Sequence, residues 1–312
     1  MKTVLTANAQ EAAQFVRQGG IVAFPTETVY GLGANVFDET AIQKIFGAKG
    51  RPSDNPLIAH VAAVEQIETL VSDVTETARK FIAAFFPAPL TIVLPKAERV
   101  PVIATANLPT IGVRMPRHDL AREFIRECAV PLVAPSANLS GKPSPTTWQA
   151  VFEDLNERVD CILQAEQTEV GLESTVVDCT REVPLVLRVG AITLEELQRV
   201  VPETIVYQAR SDELLPSPGL RHRHYSPRAK VVLVGSPNKI VNHKNAAYIG
   251  FDAPQLGFDL QQICPNVEIY AHELFAFFRQ ADAQNVTTVY CQTVNETGLG
   301  RALMDRLQRA SH

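Results

Sequence analysis

Short apolar runs alternate along this chain with stretches in which apolar residues recur every three or four positions, a pattern that predicts alternating strands and helices. Ala12, Phe15 and Val16 share one face of a helix over 8–18, which Gly19 and Gly20 stop. A strand over 21–24 meets Pro25 and a Thr- and Gly-rich turn. Asp38 then caps a short helix carrying Ala41, Ile42, Ile45 and Phe46 on one side, and Gly47 and Gly50 end it. The pattern continues with helices near 63–71 and 75–86, strands over 90–94 and 110–116, a helix over 119–127, a strand over 131–134 and a helix over 146–155. Strands over 161–164, 174–178 and 184–189 follow, then a helix opened by a Thr193–Glu196 capping box and a strand over 203–207.

The tract 211–228 breaks the rhythm with prolines, a glycine and a run of His, Arg and Tyr, and its composition is that of a linker. Strands over 231–234, 246–251 and 287–292 then alternate with helices over 271–284 and 300–310, which implies a small parallel α/β layer. The expected organisation is a domain over 1–208, a linker or lid over 209–229 and a smaller domain over 230–312.

A chain of 312 residues, 46% hydrophobic and 20% charged, has the make-up of an ordinary globular protein of about two domains. Its net charge of -5 disfavours a general nucleic-acid binder but leaves room for a local basic cleft. The five cysteines are odd in number and widely spaced, without a Cys-x-x-Cys pair, so the expected setting is a reducing cytoplasm. No apolar run is long enough for a signal core or a membrane span, and no membrane partner is expected.

Candidate chemistry gathers where predicted strands end. In the stretch 25–61, Thr26, Glu27, Thr28 and Tyr30 follow a strand, Gly31 and Gly33 are expected to let the backbone approach a ligand, and Lys49 and Arg51 share a turn fixed by Pro52 and Pro56. Neither the dinucleotide fingerprint nor a P-loop fits. Arg114 sits in an apolar strand, where an unpaired charge costs several kcal/mol; on spacing alone, a place on the solvent face or a carboxylate of the fold accounts for it about as well as a ligand does. Arg188 is a second arginine of this kind. The segment 135–144 offers three serines, Asn138 and accessible backbone N–H groups. The Gly298-Leu299-Gly300-Arg301 start of the last helix resembles an anion-binding N-terminus, with no cofactor assigned to it.

Taken in order, the motifs PTETVYGLGAN, KGRPSDNPLIAH, GVRMP, APSANLSGKPSPT, ESTVVD and LRVG closely resemble the YrdC-type threonylcarbamoyl-AMP synthases, and SPGLRHRHYSP with the α/β tail resembles their long, two-domain form. The resemblance implies a twisted mixed α/β sheet around a basic cavity, followed by a small Rossmann-like domain. It also implies a reaction: L-threonine, bicarbonate and ATP give threonylcarbamoyl-adenylate and pyrophosphate, with Mg²⁺ carried by ATP and no permanent cofactor. A downstream tRNA-modifying transferase complex then uses the product, so tRNA enters as an indirect partner. Residue by residue, the threonine pocket falls on Thr28, His60, Arg114, Ala134 and Ser174. The ATP contacts fall on Lys49, Arg51, Asn55, Thr110, Ser136, Ser144, Arg188 and Tyr225, with Asn138 supporting the loop. The alternative from another class is an RNA-binding module using the same concavity without catalysis. A carbamoyl-transfer maturation factor lacks support because paired-cysteine zinc segments are absent.

Overall fold

The computed structural model describes residues 2–207 and 226–311. In chain order the first sheet and its helices comprise β1 (Val4–Thr6), α1 (Ala9–Arg17), β2 (Val22–Phe24), β3 (Gly31–Asn35), α2 (Glu39–Lys49), β4 (Ile58–His60), α3 (Glu76–Phe85), β5 (Leu90–Pro95), β6 (Thr110–Arg114), α4 (Asp119–Cys128), β7 (Leu132–Val133), α5 (Trp148–Leu155), β8 (Cys161–Leu163), β9 (Thr175–Asp178), β10 (Leu185–Arg188), α6 (Leu194–Val200) and β11 (Ile205–Val206). These strands make one mixed sheet in the order β1-β8-β2-β3-β7-β4-β6-β5-β9-β10-β11. After it come β12 (Lys230–Val234), β13 (Ala246–Gly250), β14 (Leu260–Ile263), α7 (Val267–Ala283), β15 (Thr288–Gln292) and α8 (Leu299–Ser311), whose four strands pair in parallel in the order β12-β15-β13-β14.

The caps follow the sequence. Asp38 accepts from the Ala41 amide, His118 from the Ala121 amide, and Thr193 and Glu196 form the expected reciprocal box. Four elements differ from expectation. The segment 63–71 is a 3₁₀ turn over Val64–Thr69, started by Ala63 without any side-chain cap. Helix α7 begins four residues early because Asn266 caps it at the Ile269 amide. The edge strand β14, sequence LQQI, carries too little apolar alternation to be read from sequence. The most consequential difference is β3, expected to be a turn. It pairs antiparallel with β2, and a Cβ on Gly33 would lie 2.9 Å from the Phe24 ring. That glycine makes room for a core aromatic rather than for a ligand.

Helices cover both faces of the large sheet. Ile42, Phe46 and Phe81 enter the core on one side, and Ala12, Val16, Phe124 and Ile125 pack on the other. The second core, built on Tyr270, Phe275, Phe278 and Leu307, also takes in Val29 and Leu172 of the first region. The two regions therefore share buried surface. At Gly171, with φ of +77°, a Cβ would lie 2.5 Å from the His272 backbone, so only glycine permits this approach of α7. The last helix start is likewise a packing feature: a Cβ at Gly300 would lie 2.1 Å from the Asn295 carbonyl oxygen, and Arg301 pairs with Glu195 of α6 at 3.3 Å. All five cysteines are buried and free, and among the described residues no helix is long and apolar enough to cross a membrane.

Candidate active site

Parallel strands β4 and β6 are in register so that His60 and Arg114, the last residue of each, are direct neighbours. Antiparallel β7 lies on the other side of β4 and carries the chain into Ala134 and the segment 135–144. A bridge between Gly31 and Ser136, with Ala137 N–H donating to the Tyr30 carbonyl at 2.8 Å, draws that segment against the turn after β2. From across the sheet, Ser174 enters just before β9 and Arg188 ends β10. The result is an open cavity with about 730 Å³ of empty space, the solvent at its mouth included.

Thr28, His60, Arg114, Ala134 and Ser174 all line this cavity, as do Arg51, Ser136, Asn138, Ser144 and Arg188. Arg188 donates from Nε to the Ser174 carbonyl and from Nη2 to Ser174 Oγ, both at 3.0 Å, while Ser174 Oγ also lies 2.8 Å from Thr91 Oγ1. Ser144 donates to Glu173 at 2.7 Å and Ser136 to Asn138 Oδ1 at 2.6 Å. Arg51 Nη2 lies 3.5 Å from the Asn55 carbonyl.

Three expected residues stand elsewhere. Lys49 belongs to the last turn of α2 rather than to a loop shared with Arg51, and only 3% of it is exposed. Its Nζ donates to the carbonyls of Ser136 at 2.5 Å and Asn138 at 2.7 Å, so it pins the segment behind the cavity instead of facing it. Burial first, then Arg51, pulls its pKa well below the ordinary lysine value. Asn55 is fully buried and is not part of the lining, and neither its amide oxygen nor its amide nitrogen finds a hydrogen-bond partner among the described residues. Thr110, at the start of β6, borders a separate small recess that shares Pro56, Leu57 and Ile58 with the cavity wall. Tyr225 lies outside the described residues.

The two readings of Arg114 turn out to be compatible. Its Nη2 pairs with Glu27 at 2.7 Å, both side chains being almost wholly buried, so a carboxylate of the fold does neutralise it. Its Nε is buried without a hydrogen-bond partner among the described residues, and the residue also lines the cavity, where a ligand can meet it. Lys142 and Glu173 line the cavity but were given no role from the sequence, although they stand in the APSANLSGKPSPT and ESTVVD motifs, and Glu27, named at the strand's end, was given no partner there.

His60 is 4% exposed, and burial, reinforced by Arg114, pushes its pKa down to about 3. Its Nδ1 lies 3.1 Å from the Ile58 carbonyl, which selects the Nδ1–H tautomer and leaves Nε2 an acceptor. Because the folded value lies below the unfolded one of about 6.5, the stability tied to neutral His60 is complete above that pH and is lost as pH falls toward 3. The slope is at most about 1.4 kcal/mol per pH unit for this one proton. Urea midpoints at pH 7.5, 6.0 and 5.0 are expected to fall less steeply for His60→Gln than for the wild type; equal slopes would refute the assignment.

A mixed sheet whose strand ends converge on a deep cation- and hydroxyl-lined cavity, with a parallel α/β unit packed behind it, defines the class. A family model covering Sua5, YciO and YrdC, described as "Telomere recombination", matches residues 14–190, and a second, "Threonylcarbamoyl-AMP synthase, C-terminal domain", matches residues 192–312. The chain belongs to the Sua5/YciO/YrdC family, in the form that carries this C-terminal domain. It is 43% identical to the threonylcarbamoyl-AMP synthase of Pyrococcus abyssi, over 96% of this chain and 93% of that protein. With the threonylcarbamoyl-AMP synthase of Bacillus subtilis the identity is 39%, over 96% and 92%. The crystal structure of P. abyssi Sua5 complexed with L-threonine superposes with a TM-score of 0.93 at 40% identity, covering all of this chain and 98% of that one.

Proposed function

We propose that this chain makes L-threonylcarbamoyl-adenylate from L-threonine, bicarbonate and ATP, releasing pyrophosphate, for threonylcarbamoyl modification of tRNA adenosine. The observation that carries this reading is the division of one cavity into two unlike half-sites. One, at the ends of β4 and β6, offers a neutral imidazole and a guanidinium already half-neutralised by Glu27, which suits a small zwitterion. The other presents Arg51, Arg188, Ser136 and Ser144, which suits phosphate oxygens.

In this reading Arg114 receives the threonine carboxylate, and His60 Nε2 accepts a hydrogen bond from the amine or hydroxyl. The neutral amine attacks CO₂ derived from bicarbonate, losing a proton to give the carbamate. A carbamate oxygen then attacks the α-phosphorus of ATP as the bond to pyrophosphate breaks. The charge that develops there is met by Arg51 and Arg188, with Mg²⁺ arriving as part of the ATP complex. Lys49 contributes by fixing the carbonyls of residues 136 and 138. No covalent enzyme intermediate is required. We also assign residues 1–208 to the catalytic domain, 209–229 to a linker and 230–312 to the second domain, place the protein in the cytoplasm, and take its acceptor to be a tRNA-modifying transferase complex.

The test is pyrophosphate release and adenylate formation by the full chain, with threonine and bicarbonate omitted in turn. Both products are expected to vanish in either omission. Pyrophosphate release indifferent to threonine would sink the reading.

A further inference from the structure

Two arginines of the second α/β unit reach through the shared surface to the back of the cavity wall. Arg306, on α8, is wholly buried. It donates from Nε to Glu173 at 2.8 Å and from Nη2 to the Val189 carbonyl at 3.1 Å. Glu173 in turn accepts from Ser144 and immediately precedes Ser174, while Val189 immediately follows Arg188. Burial alone would raise the Glu173 pKa, but Arg306 and Arg188 hold it below the ordinary value, so it stays a carboxylate. Arg279, on α7, engages both oxygens of Asp154, at 3.2 and 2.8 Å, and the Pro143 carbonyl at 2.5 Å. The buried Asp154 side chain also accepts from the Leu139 amide at 3.2 Å and from Lys142 at 2.8 Å.

These bonds end on the residues flanking Ser174 and Arg188, on the segment 139–144, or on Asp154, which itself holds Leu139 and Lys142 of that segment. On the assignment of this wall to ATP, which is the reading above, we propose that Arg279 and Arg306 are positioning residues, and that the second domain holds the nucleotide half-site in shape through Asp154 and Glu173. Neither arginine lines the cavity. Of the threonine half-site, Thr28, His60, Arg114 and Ala134 make no bond to either arginine, and only Ser174 adjoins a residue that one of them holds, so the two substrates are affected unequally.

The test uses the full chain with Arg279→Met and Arg306→Met, together with the neutral pairs Asp154→Asn/Arg279→Met and Glu173→Gln/Arg306→Met, which leave no carboxylate buried alone. Three quantities are read: amide hydrogen exchange over 139–144, ATP affinity and threonine affinity by calorimetry, with thermal melting as the control for folding. Exchange over 139–144 is expected to accelerate and ATP affinity to fall about tenfold or more, the effect of losing a buried charged hydrogen bond. Threonine affinity is expected to stay within about twofold in the Arg279 variants, whose partners lie on the side of 139–144, and to fall less than ATP affinity in the Arg306 variants, where Glu173 adjoins Ser174. Arg279→Lys is expected to recover only part of the loss, because an ammonium cannot grip both oxygens of Asp154.

Unchanged exchange, unchanged ATP affinity in folded variants, or equal losses for both substrates would each overturn the proposal. So would failure of the neutral pairs to fold, which would show that the arginines serve the fold alone. A wild-type chain that binds ATP but shows no threonine-dependent pyrophosphate release would instead defeat the synthase reading, while loop exchange and ATP affinity would still decide this one.

Discussion

Replacing Arg188 with alanine is expected to lower kcat for adenylate formation by about 10²–10³-fold, the usual cost of removing one preorganised donor from a developing charge, while leaving the protein folded. The side chain reaches the cavity because β10 slips register against β9 between Val186 and Arg188. Its fork holds both the carbonyl and the hydroxyl of Ser174, so alanine removes a phosphate partner and loosens a residue of the threonine half-site together. Folding is expected to survive because the nearby carboxylate, Glu173, keeps Arg306 and Ser144 as partners. Arg188→Lys is expected to be nearly as impaired, since one ammonium cannot span two acceptors in this geometry. Pyrophosphate release at saturating substrates measures the effect, and wild-type turnover in either variant would remove Arg188 from the reaction.

Arg114→Met is expected to behave differently, damaging stability as well as activity. Arg114 is the only ion-pair partner of the fully buried Glu27 among the described residues. Removing it strands a carboxylate in the interior, at a cost of about 3–5 kcal/mol. A protein of this size is then expected to melt about 5–8 °C lower. The double variant Glu27→Gln/Arg114→Met is expected to regain most of that stability, because it removes both charges. It is not expected to regain activity, and kcat/KM for threonine falls at least about a hundredfold in both variants, since the substrate carboxylate has lost its partner. Melting curves and kinetics on the same preparations separate the two effects. Recovery of kcat/KM in the double variant would show that Arg114 serves Glu27 and not threonine.

These two arginines also show how far the sequence could be read. Each was visible as a charge set in an apolar strand, but a strand pattern gives no partner, and the partner decides what the residue does. Asp38, Asn8 and the Thr193–Glu196 box act within three residues of where they stand, and such local caps were open to sequence reading or lie just beside a predicted helix start. Lys49 illustrates the opposite case. Its spacing from Arg51 placed both in one basic turn, yet helix α2 runs through the lysine and turns its ammonium toward carbonyls 87 and 89 positions away in sequence. Gly33 was misread for a related reason: a glycine reports that something comes close, not whether that neighbour is a ligand or Phe24.

By itself, the sequence determined the alternation of strands and helices, the break before the second α/β unit, and the ordered motifs that carry the family resemblance, because periodicity, caps and motif order are properties of neighbouring residues. Tertiary structure alone decided that His60 and Arg114 end adjacent parallel strands, that Glu27 neutralises Arg114, that Thr110 faces a separate recess, and that Arg279 and Arg306 brace the cavity wall from behind. Each of these depends on strand register or domain docking, where residues tens to more than a hundred positions apart meet, and no local pattern encodes which of them will.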